Sequence, residues 1–445
     1  MKHLLLLAGF SLMPLAASGD HAPMISTRLY RNVFPQGEIT VGTPPPARIQ
    51  PKATAHAVPD ARPSGRGGVS RRFANDRLNG RVGVELPRGT WEVAWQVDLD
   101  PRYPADALLA ADERILILSP LQWSLLDGRG RPLARGPRGG SDVVLAADRG
   151  LFHEVDAFGA WTARSLADGT TRYHTLLPNG ASFARYFVVA HQTRHVAVGI
   201  EQPLGAHDGE GRAPRETLIE AFSAPEPIET DETAMLRSAT ESAELRLDTL
   251  KTAAAHDDGM LVLALADTVL WLDLKLQPVA AFEDRFAPEM LSLDETRTAY
   301  LVAETGTRHQ LSAITSAGER LYMFELPKRL VPLRQPPIVG YDHGVYLLSE
   351  RMIVALAADG EIRWARPAAA GFAGGFVTGN GQLLASDGGE VVAFDEDGQR
   401  RSLYAFVGER RLTSPVLTDA GEILVASEKV LYCLVRRPGR PAPEP

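Results

Sequence analysis

Cysteine is almost absent from this sequence, because Cys433 is the single one among 445 residues. A disulfide within one molecule is therefore excluded, and so is a zinc site built from several cysteine thiolates. Cys433 lies in the apolar run 430–435, which predicts a buried thiol on a β-strand. The Walker and Gly-x-Gly-x-x-Gly loops and the Gly-x-Ser-x-Gly elbow of hydrolases are missing too, so none of these sites is predicted.

Long apolar stretches are scarce, and the clearest one lies at the start of the chain. Lys2 and His3 are followed by the apolar stretch Leu4–Leu15 and by the small residues 16–18. This order predicts a signal peptide over residues 1–18. No later stretch has the length of a transmembrane helix, and no cysteine follows the leader to carry a lipid. We therefore expect an exported protein, periplasmic or extracellular, without a transmembrane segment.

Positive charge is scarce over most of the chain. Residues 90–445 contain 35 basic and 50 acidic side chains, whereas residues 21–89 contain eleven Lys or Arg and four acids. An acidic body repels phosphate groups, so we expect no nucleic acid partner. Residues 19–89 are rich in proline and arginine and poor in apolar residues, which predicts a disordered arm. Residues 438–445 predict a disordered tail for the same reason.

From residue 90 onward, short runs rich in Val, Leu, Ile, Phe and Tyr recur about every ten residues, which is typical of antiparallel strands. Turn glycines follow many of these runs, at Gly130, Gly169, Gly318, Gly360 and Gly398. Neighbouring spacings are 39, 42 and 38 residues, with one gap of 149. That gap has room for two further units, one of them centred on Trp271, where Gln277 takes the place of the glycine. A period near 40 residues with about four strands is typical of a β-propeller blade.

The sequence therefore predicts an all-β fold, a β-propeller of about eight four-stranded blades over residues 90–437, with seven blades as the alternative. The predicted units are 101–139, 140–178, 183–246, 247–285, 286–330, 334–370, 371–409 and 410–437. The last unit has room for only three strands, and the alternating stretch 90–97 can supply the fourth. Pairing these two ends removes both free edges, so the ring is predicted to close through Trp91, Trp95 and Tyr432.

One unit shows a family resemblance in the stretches Pro336–Val339, Gly344–Ser349, Ile353–Leu356 and Asp359–Trp364. It resembles a repeat of the pyrroloquinoline-quinone-like propellers, which include quinoprotein alcohol dehydrogenases and the propeller component of the outer-membrane barrel assembly machine. The resemblance implies that the aromatic residue four positions after a turn glycine packs between blades. Those residues are Tyr173, Tyr322 and Trp364. The vicinal disulfide of the quinoproteins is excluded by the single cysteine.

Candidate metal or catalytic residues are few. Glu154 and Asp156 share one face of a predicted strand as a possible ligand pair, with His153 on the other face, and His207 stands beside Asp208 in a charged, glycine-rich insertion. Neither group forms a recognised ligand or catalytic spacing, so we assign no catalytic, cofactor or metal residue and expect no cofactor.

Repeats without a catalytic group favour a non-catalytic, monomeric, protein-binding or scaffolding module in the cell envelope. Its partner would be an envelope or secreted protein that the sequence does not identify. We expect the segments 204–216 and Glu226–Glu244 of this chain to contact that partner. The alternative is a divergent quinoprotein-type oxidoreductase, or another propeller enzyme that uses the central channel.

Overall fold

The computed structural model describes residues 80–437, apart from gaps at 112, 147–149, 157–159, 177–182, 192–193, 202–215, 224–234, 239, 249, 257–259, 266, 274–275, 285–286 and 307. From 175 to 250 it describes the backbone alone. The described residues are almost entirely β, with one short 3-10 helix at Lys328–Leu330. Among them, no helix has the length and apolar character needed to cross a membrane.

Strand β1 (Trp91–Asp98) precedes eight sheets, which we number as blades 1 to 8 along the chain. Blade 1 contains β2 (Ala107–Ala111), β3 (Arg114–Leu118), β4 (Gln122–Asp127) and β5 (Pro132–Pro137). Blade 2 contains β6 (Gly140–Ala146), β7 (Leu151–Asp156), β8 (Ala160–Ser165) and β9 (Thr171–Leu176). Blade 3 contains β10 (Phe183–His191), β11 (Arg194–Glu201), β12 (Glu216–Ser223) and β14 (Thr240–Asp248), and β13 (Met235–Ser238) lies between the last two in sequence.

The second half of the chain continues the pattern. Blade 4 contains β15 (Leu250–Ala255), β16 (Leu261–Leu265), β17 (Thr268–Leu272) and β18 (Pro278–Glu283). Blade 5 contains β19 (Ala287–Leu293), β20 (Ala299–Thr305), β21 (Arg308–Ile314) and β22 (Arg320–Glu325). Blade 6 contains β23 (Ile338–Val339), β24 (Val345–Leu348), β25 (Met352–Leu356) and β26 (Ile362–Pro367). Blade 7 contains β27 (Phe372–Val377), β28 (Leu383–Asp387), β29 (Glu390–Phe394) and β30 (Arg400–Ala405), and blade 8 contains β31 (Val416–Leu417), β32 (Ile423–Ala426) and β33 (Val430–Arg436).

The blades stand around a common centre with their first strands inside. Strand β2 is buried along its whole length, whereas the fourth strand β22 alternates between half-buried and exposed residues. First strands of neighbouring blades touch: β2 contacts β6 and β31, β15 contacts β19, and β23 contacts both β19 and β27. Because blade 1 thereby meets blade 8, the sheets form a closed ring, which confirms the predicted β-propeller.

The ring closes through strands from the two ends of the domain. Strand β1 pairs antiparallel with β33 and completes blade 8, with Trp91 opposite Arg436 and Trp95 opposite Cys433. The first and last strands of the domain, β1 and β33, thus pair with each other, whereas in an open row of blades each would leave a free edge. Cys433 is buried in this blade, and burial raises the pKa of its thiol.

Antiparallel blades place their connections on two faces of the ring. Turns that join the first strand to the second and the third to the fourth lie on one face, which we call the lower face. Turns between the second and third strands lie on the opposite, upper face together with the connections from one blade to the next. This division follows from the alternating strand directions, and it decides which distant residues meet.

Two features differ from the sequence-based layout. Blade 2 has five strands, because β13 pairs in parallel with β9 and covers its outer edge. A strand from the predicted recognition segment Glu226–Glu244 is therefore part of a sheet. The second difference is that residues 80–86, assigned to the arm by composition, lie against β27. Val82 donates to the Val377 carbonyl at 2.9 Å, and the Val377 amide donates to the Gly80 carbonyl at 2.7 Å.

Residues 80–86 are ordered by packing against distant blades, and a count of residue types does not show such packing. Val82 and Leu86 are 2% and 1% exposed and belong to one apolar cluster with Phe376 and Leu417, which are far away in sequence. The predicted signal peptide, residues 19–79 of the predicted arm and the predicted tail 438–445 lie outside the described residues.

Candidate functional site

Aromatic side chains on fourth strands cover the turns of the next blade. Trp364 of blade 6 is 6% exposed, and its ring would lie 2.5 Å from a Cβ atom placed on Gly398 of blade 7. Its indole N–H donates to the Glu396 carbonyl at 2.9 Å. Tyr322 of blade 5 covers Gly360 of blade 6 in the same way, again at 2.5 Å. These contacts join blades and leave no room for a ligand.

Trp91 and Trp95, which were also singled out in the sequence, lie within the packing of the ring. Trp95 covers Gly130 of blade 1, and its nearest ring atom would lie 2.7 Å from a Cβ atom placed on that glycine. Trp91 is 6% exposed at the start of β1. Tyr173 lies in β9 opposite Ala163, and its side chain is outside the described part of the chain.

Of the acids and histidines considered as metal ligands, the structure describes the side chains of His153 and Glu154. His153 and Glu154 are both buried in β7, and Glu154 accepts a hydrogen bond from the Gly139 amide. The Asp156 side chain, His207 and Asp208 lie outside the described residues. Elsewhere, Glu289, Glu304 and His309 bring three ligand atoms within 4.8 Å of one another at the surface. Nothing else in the described residues points to an ion there, so we assign no metal.

A depression of about 690 Å³ lies on the upper face, where blades 6, 7, 8 and 1 meet. We call it the upper depression. Its walls are the connections that lead into β2, β23, β27 and β31, together with the β24–β25 and β32–β33 turns. Its apolar lining includes Phe372, Phe376 and Val416. Binding cavities for small or peptide ligands commonly have this order of volume.

Hydrogen bonds fix the walls of the upper depression. The buried Gln335 side chain donates to the Gly375 carbonyl at 2.8 Å and accepts from the Gly375 amide at 2.9 Å. The Asp387 carboxylate accepts from the backbone amides of residues 369, 370 and 371, each at 2.9 Å. Because each connection is tied to a neighbouring strand, the depression is preorganised.

The connection 406–415 carries the most distinctive side chains of the rim. Phe406 packs on Tyr432 with ring centroids 4.4 Å apart, and the Tyr432 hydroxyl donates to Glu409 at 2.8 Å. Burial and this hydrogen bond raise the pKa of Tyr432 to about 12. Leu412 is 2% exposed, and the Thr413 amide donates to the Ala426 carbonyl at 2.7 Å. The connection is therefore anchored on both sides of residues 410 and 411.

The anchored connection and the neighbouring turn leave three cations without partners. Arg410, Arg411 and Lys429 are exposed and form no ion pair within the described part of the chain. The neighbouring Glu409 accepts a hydrogen bond from Tyr432 and, in the described part of the chain, forms no ion pair with these cations. Arg334 pairs with Glu350 on the far wall, Asp106 lies 3.9 Å from Arg138, and Glu428 is a further exposed acid in the lining. Four basic and three acidic residues line the depression, so the rim carries a small positive excess on an acidic domain.

A second polar cluster lies at the inner lower face. His343 on the β23–β24 turn places its Nδ1 atom 3.1 Å from Asp294 on the β19–β20 turn, and its Nε2 atom 3.7 Å from Glu295. The hydrogen bond to Asp294 raises the pKa of His343 more than burial lowers it. Burial of Asp294 opposes its ionisation, but hydrogen bonds from His343, Thr296 and Thr298 outweigh burial and lower its pKa.

Neither cluster was singled out in the sequence. Arg410 and Arg411 form a doublet in an acidic body, which is a visible cue, but its position on a cavity rim depends on the ring. His343 and Asp294 are separated by 49 residues and meet because their turns occupy equivalent positions in blades 5 and 6. The predicted recognition segment 204–216 lies outside the described residues except for its last position.

Comparison with known proteins bears on the fold. No family model matches the sequence, and no curated protein matches it. Solved structures with the same architecture include BamB from Moraxella catarrhalis, at 14% identity and a TM-score of 0.53, covering 78% of this chain and 99% of that one. Sqt1 from Saccharomyces cerevisiae matches at 10% identity and a TM-score of 0.54, covering 79% of this chain and 100% of Sqt1.

A europium-containing methanol dehydrogenase gives 9% identity and a TM-score of 0.54, covering 83% of this chain and 98% of that one. All three structures are β-propellers, and at these identities the likeness shows the fold alone. Because the set includes an enzyme as well as BamB, function has to be argued from this chain's own residues.

Proposed function

We propose that this protein is an exported, non-catalytic propeller that binds an acidic segment of a protein partner at the upper depression. The observation that carries the proposal is the set of three unpaired cations, Arg410, Arg411 and Lys429, on the rim of a preformed cavity in the described part of the chain. Loops held on a rigid ring are suitable recognition surfaces, because little conformational entropy is lost when they bind.

Charge supports an acidic ligand. The body of the domain is acidic, so cations that form no ion pair among its described residues create a local attraction for an acidic ligand. Each exposed ion pair adds about 0.2–1 kcal/mol, so two pairs together change affinity about 2- to 30-fold. Such pairs set orientation and association rate, and apolar contacts supply the remaining affinity.

Apolar surface supports a peptide over a small anion. Val407 is fully exposed on the same connection as the arginines. Phe372 and Phe376 line the cavity but are only 1% and 3% exposed, so Val407 is the exposed apolar side chain of this region. A segment that alternates acidic and apolar side chains would use both kinds of surface, whereas an inorganic anion would use the cations alone. We therefore favour a protein segment as the ligand.

The test is a binding titration with the full-length protein and a fluorescently labelled peptide that alternates Glu with Leu or Phe. We expect anisotropy to rise on binding, and the affinity to fall as salt increases from about 50 to 200 mM. Arg410→Gln with Arg411→Gln should weaken binding about 2- to 30-fold. The matched control, Arg129→Gln with Arg131→Gln, removes the same charge from the lower face and should leave the affinity unchanged.

Two outcomes would contradict the proposal. One is equal affinity in the double variant and its control. The other is displacement of the peptide by a thymidine oligonucleotide at the same concentration as by unlabelled peptide, because the surface would then attract any polyanion.

Export is the second part of the proposal, and the order of residues in 1–18 supports it. Expression of the full chain in a bacterium, followed by fractionation and N-terminal sequencing, tests it. We expect a chain shortened near Ser18 outside the cytoplasm. A cytoplasmic chain that keeps Leu4–Leu15 would contradict export.

A further inference from the structure

The segment 80–86 contacts the ring as an added peptide would. It precedes β1 and lies beside β27, where Val82 and Gly80 exchange hydrogen bonds with Val377, and the Gly379 amide donates to the Val84 carbonyl at 2.7 Å. Asn380 extends the contact, because its side chain accepts from the Leu86 amide at 3.2 Å and donates to the Leu86 carbonyl at 3.0 Å. This is the geometry of strand addition to a free sheet edge.

One side chain of the segment is held by other blades. Arg81 has a side chain that is 7% exposed, and its Nε–H donates to the Val339 carbonyl at 2.6 Å. Its two terminal nitrogens donate to the Gly340 carbonyl and to the Glu295 carboxylate. The guanidinium lies 4.9 Å from the centre of the Tyr341 ring. Planar donors directed at three acceptors, with an aromatic face beside them, select guanidinium over ammonium.

The acceptors are positioned by blades 5 and 6, and their supports are independent of Arg81. His343 contacts both Asp294 and Glu295, and Tyr300 donates its hydroxyl proton to Asp294 at 3.1 Å. On the other side of the same turn, the Trp271 indole donates to the Arg297 carbonyl at 3.1 Å. The pocket thus belongs to the blades, while its occupant belongs to a segment added to them.

We infer that the inner lower face carries a binding site for an extended, arginine-bearing peptide, and that residues 80–86 are its resident ligand. This site lies on the face opposite the upper depression, so it goes beyond the proposed function and either can fail without the other. The site recognises a guanidinium group through Glu295 and two carbonyls, and it recognises extended backbone through the edge of β27.

The test uses the full chain with a specific protease sequence inserted after Arg88, which is exposed. After folding and cleavage, a labelled peptide of residues 78–88 is added, and binding is followed by anisotropy. We expect saturable binding as the resident segment exchanges. Citrulline in place of Arg81 removes the charge and one donor group and should weaken binding at least about tenfold. Citrulline in place of Arg88 on the same peptide is the matched control and should bind as the parent does.

Chemical rescue provides a second measurement that needs no cleavage. The Arg81→Ala chain should melt at a lower temperature than the parent, and methylguanidinium should raise its melting temperature while methylammonium at equal concentration does not. Equal binding of the two citrulline peptides would overturn the inference. So would equal effects of the two cations on Arg81→Ala, and so would a cut chain that takes up no peptide although its circular dichroism is unchanged.

Discussion

Replacing Trp364 by alanine is the sharpest perturbation of the packing between blades. The side chain is 6% exposed and stacks on Phe394 with ring centroids 5.8 Å apart. It also covers the turn at Gly398 and donates to the Glu396 carbonyl, so one substitution removes contacts to three parts of blade 7.

The expected loss in the free energy of unfolding is about 3–5 kcal/mol, the range for a large aromatic deleted from a core. Trp364→Phe keeps most of the ring but loses the indole hydrogen bond, and a net bond of this kind contributes about 1 kcal/mol. We therefore expect Trp364→Phe to cost clearly less than Trp364→Ala. Ile362 lies on the same strand with 55% exposure, so Ile362→Ala should change stability by no more than about 0.5 kcal/mol.

Urea unfolding followed by circular dichroism gives the three values, provided that a second probe reports the same transition. If Trp364→Ala cost less than about 1 kcal/mol, or no more than Ile362→Ala, the blades would not depend on this residue. The assignment of Tyr322 and Trp95 to the same packing role would then fail too.

Gly398→Ala should destabilise the domain by about 1–3 kcal/mol in urea unfolding, because φ is +70° and the new Cβ would lie 2.5 Å from the Trp364 ring. The control is Gly381→Ala, which has a φ of +79° but open space around it, so it measures the backbone strain alone. An equal loss of stability in both variants would contradict the steric reason. His343→Gln should lower the free energy of unfolding more at pH 5.5 than at pH 8.5. The reason is that Asp294 raises the pKa of His343, so the stability that this pair contributes is present below the unfolded pKa of about 6.5 and is lost as pH rises through the folded value. Asp294 and Glu295 face His343 with negative charge, and Arg81 faces it with positive charge. If parent and variant differ in stability by the same amount at both pH values, the attraction of the two acids for His343 does not outweigh the repulsion from Arg81.

The sequence predicted the ring well because its determinants are local and repeated. Turn glycines recur about every forty residues, and the three strands after residue 410 leave one place for the strand at 90–97. In blade 4, which lacks the glycine, Leu276 adopts the left-handed φ of +56° at the turn, so the substitute is one residue earlier than the predicted Gln277. Hydrogen bonds from Leu276 and Gln277 to Asp273 keep that turn closed without glycine.

The sites could not be predicted, because they depend on which distant turns share a face. Arg81 reaches the Val339 carbonyl across 258 residues of sequence, and no local pattern links the two. Arg410 and Arg411 look like a solvated doublet until the ring brings the upper depression beside them. Composition also assigned residues 80–86 wrongly to the disordered arm. A short segment that packs on other blades needs few apolar residues of its own, so its composition does not predict its order.

A charge exchange tests most directly whether the upper depression recognises an acidic segment. Arg410→Glu with Arg411→Glu reverses the sign of the rim, and the labelled Glu-Leu peptide is compared with a Lys-Leu peptide of equal length. We expect the parent protein to prefer the Glu peptide and the reversed protein to prefer the Lys peptide. If the reversed protein stays folded and still prefers the Glu peptide, or if neither protein discriminates, the binding face has been placed wrongly.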